Sequence, residues 1–256
     1  MKKDYILVID SGVGGLSILS KAYKILPSNY IYFADNKNAP YGIHSKEKIY
    51  IFVKDIIINL LKKYNIKIVV LACNTATTAA IEKLRKTFAN IHFIGTEPAI
   101  NLAYKKHFKS AVVIATPTTI KQQKYKNLTA KTPIQIFSLK LKTFATAIEK
   151  FFTHKHLWDG FVIQKNIYNI CYYCRNSDCI ILGCTHYGFV KEKIKNISQK
   201  PIIDGTDGVL NQISNFKDKL TNFNNEKSSL KFMVSDSSLA SKEIYKKIFN
   251  EILAKV

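Results

Sequence analysis

The chain has 256 residues, of which 47% are hydrophobic and 22% charged, as in a globular protein rather than a disordered or fibrous one. Its formal charge of +21 is spread along the chain and includes only two arginines, Arg85 and Arg175, so we expect no nucleic-acid partner beyond non-specific charge. No apolar stretch reaches the roughly 18 residues of a membrane span, and Met1 to Asp4 lead directly into a strand without a signal-peptide core. We therefore expect a cytoplasmic protein without a membrane partner.

The first half of the chain alternates short apolar strands with helices. The predicted strands cover 5–9, 30–34, the run that ends at Cys73, and 91–94. The first predicted helix ends at about residue 26, and two further helices cover roughly 49–60 and 76–88. Such a series of strand, helix and strand implies a parallel sheet with helices on both faces.

The same alternation starts again after Gly95–Pro98. The predicted strands cover 111–115, 134–137, the run that ends at Cys184, and 201–205, with helices over 121–127, 140–152 and 158–173. The tail holds a helix, a strand at 230–234 and a final helix from Ser238. We expect the tail to return to the first sheet, so that one α/β domain covers 1–96 and 208–256 and a second covers 97–207.

Two cysteines follow matching apolar runs. Ile68–Thr75 and Cys179–His186 each contain a buried-strand pattern that stops at a thiol followed by polar residues. Each run therefore places its cysteine, Cys73 or Cys184, at the carboxyl end of a strand, where open α/β sheets bind ligands. A cysteine protease needs one nucleophile and would leave the second thiol unexplained.

The other cysteines are Cys171, Cys174 and Cys179. An odd total of five in a chain without an export signal indicates reduced thiols. These three have spacing that suits zinc, but a second Cys pair or a His pair is missing, so we favour thiols at a helix end and expect no metal.

A glycine-rich turn follows the first strand at Asp10–Gly15. Its free amides favour an anion. A dinucleotide site is the alternative, with Asp35 as the acidic residue, but Ser17 occupies the third glycine position and the Asp10 carboxylate would repel a pyrophosphate.

Five segments together resemble the signature segments of the glutamate racemase family, in the family's order. They are Asp10–Ser17, Phe33–Asp35, Pro40–Gly42, Leu71–Ala76 and Leu182–Tyr187. The resemblance implies two pseudo-symmetric α/β domains that face each other across an interdomain active site. It also implies a cofactor-independent racemase that supplies D-glutamate for peptidoglycan, and hence for cell wall biogenesis and cell shape. A homodimer is left open.

The chemistry of racemisation suits a matched pair of thiols, because it needs a base on one face of the α-carbon and an acid on the other. The resemblance implies the catalytic set Cys73, Cys184, Asp10, His186 and Glu149. It also implies that glutamate is bound by Asp10, Ser11, Tyr41, Gly42, Asn74, Thr75, Thr116, Thr119, Thr185 and His186. We expect Asp10 to lie near Cys73, and His186 near Cys184, on the same face if the strand continues.

The sequence departs from the family at two places. Leu141–Lys142 and Ala145–Thr146 precede Glu149 where the family often has Cys-Pro and Val-Pro, so Glu149 is also interpretable as a surface glutamate. Thr116 and Thr119 are equally interpretable as caps of the next helix. Gly188 follows Tyr187 where a proline is common.

Two other functions remain open at this stage. One is a related aspartate or broad-specificity amino-acid racemase. The other is a basic protein that engages DNA, for which salt-resistant binding would be the distinguishing property.

Overall fold

Two parallel β-sheets organise the chain, whose computed structural model describes residues 3–217 and 228–255. The chain divides into what we call the first unit, Met1–Thr96 with Thr206–Val256, and the second unit, Glu97–Gly205. One sheet lies in each unit, which confirms the predicted α/β class. No helix among the described residues is long and apolar enough to cross a bilayer.

The first unit contains a five-stranded sheet. Its strands are β1 (Asp4–Asp10), β2 (Asn29–Ala34), β3 (Asn65–Leu71), β4 (His92–Gly95) and β9 (Ser229–Val234). All neighbours are parallel, in the order β4-β3-β1-β2-β9. The central strand β1 is almost entirely buried, which explains its uninterrupted apolar sequence. Because β9 pairs with β2, the tail belongs to the first sheet.

Within the described residues, five helices flank this sheet. They are α1 (Leu16–Ile25), α2 (Lys46–Leu61), α3 (Asn74–Thr87), α10 (Thr206–Lys217) and α11 (Leu239–Leu253). Helices α2 and α3 bury their apolar faces in one core with β1 and β3, a cluster that includes Val53 of α2, Ala80 of α3 and strand residues such as Leu7 and Val69. Helix α1 packs against α10 and α11. Although α2 lacks a full capping box, the Ser45 hydroxyl accepts from the backbone N–H of Lys48 at 3.3 Å.

The second unit contains a four-stranded parallel sheet. Its strands are β5 (Ser110–Ala115), β6 (Gln135–Lys140), β7 (Cys179–Gly183) and β8 (Ile202–Ile203). Their order is β6-β5-β7-β8. In the central pair Ala115 lies opposite Gly183, so the residues that follow these two strands emerge side by side.

Six helices cover the two faces of this second sheet. They are α4 (Ile100–Lys105), α5 (Pro117–Lys121), α6 (Gln123–Ala130), α7 (Phe144–His154), α8 (Leu157–Cys174) and α9 (Lys191–Ser198). Helices α7, α8 and α9 share one core with β5 and β7. Helix α4, Ile120 of α5 and Tyr125 of α6 belong to a separate hydrophobic core of the same unit.

Three elements of the second unit differ from the sequence prediction. The single helix predicted at 121–127 is two helices, because Gln122 adopts an extended conformation (ψ 139°) between α5 and α6, and α5 begins earlier, at Pro117 in the favoured first-turn position. The six-residue helix α4 was not predicted. The strand predicted at 201–205 is confined to Ile202–Ile203.

Candidate active site

Cys73 lies at the junction between β3 and α3. Strand β3 ends at Leu71, and Cys73 is the N-cap residue of α3, with an extended backbone. Its side chain is buried, at 8% exposure. The start of a 14-residue helix stabilises negative charge, so this position favours a thiolate.

Polar side chains follow at the end of β1, at the same edge of the sheet as this thiol. The Ser11 hydroxyl donates to Cys73 Sγ at 3.9 Å. Asp10 is completely buried, and its Oδ1 accepts from the backbone N–H of Gly12 at 2.9 Å. The Ala72 backbone N–H donates a hydrogen bond to the Ile9 carbonyl, which joins the ends of β3 and β1 at this point. The structure therefore brings Asp10 and Ser11 to the Cys73 end of the sheet.

Tyr41 and Gly42 lie in a loop that is anchored by Asp35. The Tyr41 hydroxyl donates to Asp35 Oδ2 at 2.6 Å, and Asn38 Nδ2 donates to both oxygens of that carboxylate. Burial, followed by the charges of Asp35, Cys73 and Asp10 and the hydrogen bond to Asp35, raises the pKa of Tyr41 well above its usual value. Tyr41 is therefore a neutral hydrogen-bond donor beside the Cys73 site, and Gly42 follows it in the short 3₁₀ helix Tyr41–Ile43.

Asp35 is a residue whose place in this site the sequence analysis missed. It appeared there as the acidic residue of a dinucleotide site and within the segment Phe33–Asp35, without an assigned role, whereas its carboxylate binds Tyr41 and Asn38 within its own loop. The available signal was its position directly after β2, at the same sheet edge as Asp10.

Asn74 and Thr75 form the first turn of α3 and are both buried. Asn74 Oδ1 is enclosed and has no hydrogen-bond partner among the residues that the structure describes. A buried amide oxygen without a partner costs about 1–3 kcal/mol. An ammonium group is a suitable donor for such an oxygen.

Cys184 holds the corresponding position in the second unit. Strand β7 ends at Gly183, and Cys184 is the N-cap residue of the 3₁₀ helix Thr185–Val190. The strand therefore does not continue to His186, so the condition for a shared strand face is not met. The tight turn brings His186 Nδ1 to 3.9 Å from Cys184 Sγ instead.

His186 also contacts Glu149 of α7. Its Nε2 lies 2.8 Å from Glu149 Oε2, and the two side chains are 8% and 18% exposed. Burial alone lowers the pKa of His186, but hydrogen bonds to Cys184 and Glu149 and the charges of both raise it well above its ordinary value of 6.5. A protonated imidazole in this position is a cationic hydrogen-bond donor to the Glu149 carboxylate and to the Cys184 sulfur. The structure thus places Glu149 beside His186 rather than on an open helix surface.

Thr116 and Thr119 lie at the end of β5, next to the strand that delivers Cys184. The Thr116 hydroxyl accepts from the backbone N–H of Thr119 at 3.2 Å and lies 3.0 Å from the Thr119 hydroxyl. Thr116 is therefore the N-cap of α5, as the alternative interpretation expects. Thr185 is buried beside Cys184 at the start of the 3₁₀ helix.

Tyr187 is the other buried polar residue of this turn. Its ring packs 4.8 Å from that of Phe144 between centroids. Its hydroxyl is enclosed and has no hydrogen-bond partner within the described part of the chain. Burial, and then the charge of Cys184, raise the pKa of Tyr187 well above its usual value, so the phenol is neutral.

The remaining thiols occupy a separate position, at the end of α8 and the start of β7. Cys174 Sγ donates to the Cys171 carbonyl at 3.4 Å, and Cys179 is fully buried. No group of three or more His, Cys, Asp or Glu side chains in residues 3–217 and 228–255 has the arrangement of a metal site.

Known proteins resemble this chain over nearly its whole length. The family model for Asp/Glu/Hydantoin racemase matches residues 14–213. A glutamate racemase of Clostridium acetobutylicum is 40% identical over 244 residues, which cover 92% of this chain and 93% of the relative. A glutamate racemase of Clostridium botulinum is 38% identical over 249 residues, which cover 93% of this chain and 94% of the relative.

Solved structures agree with the sequence relatives. A glutamate racemase isoform of Bacillus anthracis has a TM-score of 0.83 at 28% identity, covering 98% of this chain and 95% of that one. A glutamate racemase of Francisella tularensis, solved in complex with D-glutamate, has a TM-score of 0.79 at 27% identity, with the same coverage. These matches confirm the resemblance stated from the sequence: the chain belongs to the Asp/Glu/Hydantoin racemase family.

Proposed function

We propose that this protein is a glutamate racemase that interconverts L- and D-glutamate by proton transfer through Cys73 and Cys184, without a cofactor. The observation that carries the proposal is the matched position of the two thiols. Each is buried just after the carboxyl end of an interior strand and begins a helical turn. Family membership and the names of the relatives support the choice of reaction and of substrate.

In the proposed reaction one cysteine acts as a thiolate and the other as a thiol. The thiolate takes the α-proton, and the electron pair of the broken C–H bond stays on the α-carbon. The thiol then delivers its proton to the opposite face, which forms the new C–H bond and leaves a thiolate. In the reverse direction the two roles exchange, so the mechanism requires both thiols to reach one α-carbon from opposite sides.

The two thiols have different partners in this proposal. His186, held by Glu149, keeps a positive charge beside Cys184 and accepts or returns a proton there. Asp10 is the corresponding acid or base on the Cys73 side, and the Ser11 hydroxyl donates to the thiolate. Positioned proton-transfer groups of this kind contribute about 10²–10⁴-fold to rate.

Glutamate needs donors for two carboxylates and acceptors for one ammonium. We assign binding to the residues that flank each thiol at the strand ends. In the first unit these are Asp10, Ser11, Tyr41, Gly42, Asn74 and Thr75, and in the second Thr116, Thr119, Thr185 and His186. Within this set, Asp10 and the buried Asn74 oxygen are the acceptors that suit the ammonium group.

The biological role follows from the proposed product. D-Glutamate made in the cytoplasm would enter peptidoglycan, so the enzyme would serve cell wall biogenesis and cell shape. We also propose that the first and second units are the two domains that the resemblance implies.

The test is a stereochemical assay of purified protein with L- or D-glutamate and no added cofactor. We expect optical rotation to decay to zero from either enantiomer. Cys73→Ser and Cys184→Ser should each reduce the rate by at least about 100-fold, whereas Cys171→Ser, a matched control outside the site, should leave it unchanged. Full activity in either of the first two variants would exclude the two-thiol mechanism, and aspartate turning over as fast as glutamate would displace the substrate assignment.

A further inference from the structure

The segment Cys184–Val190, which we call the Cys184 turn, carries the second thiol between strand β7 and helix α9. Its body is a 3₁₀ helix, a form whose hydrogen-bond geometry is poorer than that of an α-helix. Gly188 within it adds backbone freedom. A segment of this kind depends on contacts with its surroundings to keep one conformation, so these contacts determine where the Cys184 sulfur lies.

The residues directly after Cys184 are held by helix α7. His186 Nε2 lies 2.8 Å from Glu149 Oε2, and the Tyr187 ring packs 4.8 Å from that of Phe144 between centroids. The Cys184 sulfur is linked to His186 Nδ1 at 3.9 Å, a long contact that a small displacement of the turn would break. The geometry of the thiol is therefore sensitive to the path of the whole turn.

The exit of the turn is held by an ion pair with the end of β8. Lys191 follows the turn and begins α9, and its Nζ donates to Asp204 Oδ2 at 2.7 Å. Asp204 directly follows Ile203, which pairs with Ile181 of β7 in the sheet. The turn thus begins at β7 and is tied at its other end to the neighbouring strand β8.

This ion pair is less accessible to water than an ordinary surface pair. The side chains of Lys191 and Asp204 are 30% and 20% exposed, so solvent and salt screen their charges only in part. By comparison, the pair of Lys83 and Glu47, also 2.7 Å apart, joins side chains that are 54% and 64% exposed. We therefore expect the pair at the turn to restrain the backbone more strongly than the surface pair does.

The position of Lys191 is unfavourable for α9 itself. A cation in the first turn of a helix is opposed by the partial positive charge of the helix N-terminus, whereas an acidic residue such as Glu192 is favoured there. Helix stability thus does not explain a lysine at this position, but the contact with Asp204 does. Such conflicts between local preference and the global fold are expected mainly at functional or strained sites.

We propose that Lys191 is a positioning residue for Cys184, because its ion pair with Asp204 holds the Cys184 turn in the conformation that proton transfer needs. This inference rests on the proposed racemase function and adds to it a residue pair that acts through the turn. Loss of the pair would displace the thiol, and a misplacement of about 1 Å can lower a rate about 100-fold. Cys73, which follows a strand of the other sheet, would keep its position.

The test compares Lys191→Met, which removes the charge and keeps a long side chain, with Lys193→Met, the same change at an exposed position of α9. We expect Lys191→Met to lower kcat/KM about 10–100-fold and Lys193→Met to leave it unchanged. Lys191→Arg keeps the charge and should retain most of the rate. Asp204→Asn should resemble Lys191→Met, and the double variant should lose no more than either single variant, because both changes remove the same contact.

A readout specific to Cys184 is the primary isotope effect with α-deuterated glutamate. When only proton transfer at Cys184 slows, the isotope effect on kcat/KM should rise for the enantiomer whose α-hydrogen goes to Cys184 and fall for the other. A general loss of structure in Lys191→Met would instead lower the amount of active protein and leave both isotope effects unchanged.

Amide hydrogen exchange tests the inference without the reaction. Exchange within the Cys184 turn should be faster in Lys191→Met than in Lys193→Met, because the turn opens more often. In Lys191→Met, an unchanged exchange rate of the turn, an unchanged kcat/KM or a pair of unchanged isotope effects would each overturn the inference. An unaltered protein without racemase activity would refute the proposed function instead, while the exchange measurement would still decide whether the ion pair holds the turn.

Discussion

The position of His186 between a thiol and a carboxylate determines the pH range in which its side chain is charged. The contacts with Cys184 and Glu149 raise its pKa well above 6.5, so His186 stays protonated until the pH exceeds that raised value. Replacing Glu149 by Gln removes an anionic hydrogen-bond acceptor at 2.8 Å and must lower the pKa of His186. We expect the alkaline limb of the kcat/KM profile to move to lower pH in Glu149→Gln, measured with both enantiomers.

The control for this prediction is Glu192→Gln, which removes the same charge from an exposed position on α9 of the same unit. Its pH profile should superimpose on that of the unaltered protein. An unchanged alkaline limb in Glu149→Gln would contradict the role assigned to the His186–Glu149 pair.

The buried hydroxyl of Tyr187 makes a second prediction at this scale. A buried polar atom without a partner is costly, and its replacement by an apolar group of the same shape is neutral or favourable. We expect Tyr187→Phe to leave the free energy of unfolding unchanged or to raise it by about 1 kcal/mol, measured by denaturant titration. The control is Tyr30→Phe, since the Tyr30 hydroxyl donates to the Leu26 carbonyl at 2.6 Å and its removal should cost about 1 kcal/mol. A larger loss in Tyr187→Phe than in Tyr30→Phe would refute this interpretation.

Single residues also show where sequence reasoning stops. The identity of the two thiols follows from the apolar runs before them, because a strand buried on both faces has a distinctive sequence. The contact between His186 and Glu149 does not follow from the sequence, since it depends on a 3₁₀ turn after β7 and on the packing of α7. The anchoring of Tyr41 by Asp35 likewise needs a folded loop.

At the scale of elements, the close approach of β5 and β7 determines where Cys184 can lie. A Cβ atom at Gly183 would stand 2.7 Å from Ala115 Cβ and 3.0 Å from the Ile114 carbonyl oxygen, so an added methyl group forces the strands apart. We expect Gly183→Ala to lower the free energy of unfolding by about 1–3 kcal/mol and to lower activity by displacing the adjacent thiol. Thermal unfolding and the racemisation assay would measure the two effects.

Gly208 in α10 provides the matched control. No described atom lies within 4 Å of a Cβ added there, and alanine is the better helix former by about 0.5–1 kcal/mol. Gly208→Ala should therefore stabilise the protein by up to that amount without loss of activity. Equal stability of the two alanine variants would show that the β5–β7 contact is not tight.

The types of most elements follow from periodicity, whereas some boundaries and short elements do not. The strand β1 and the helix α2 have long, regular apolar patterns, and both occur where predicted. The break at Gln122 and the helix α4 lack such a pattern, because a helix of one or two turns has no repeating face.

At the scale of the whole molecule, the charge of +21 predicts weak attachment to any polyanion. The charge consists mainly of lysine spread along the chain, so we expect binding to duplex DNA at low salt and its complete loss near about 0.15 M. Fluorescence anisotropy over a salt series would measure this. Binding that persists at physiological salt would indicate a dedicated nucleic-acid surface and restore the alternative of a DNA-engaging protein.

The proposed mechanism needs two different groups that act on opposite faces of one carbon, and the fate of the α-hydrogen tests this most directly. When L-glutamate reacts in deuterated water, the newly formed D-glutamate should carry deuterium at the α-carbon, because its proton comes from a thiol that has exchanged with solvent. The L-glutamate that remains early in the reaction should stay unlabelled, since the abstracting cysteine returns only the hydrogen it removed. Product that keeps its original hydrogen, or substrate labelled as fast as product, would contradict the two-thiol mechanism.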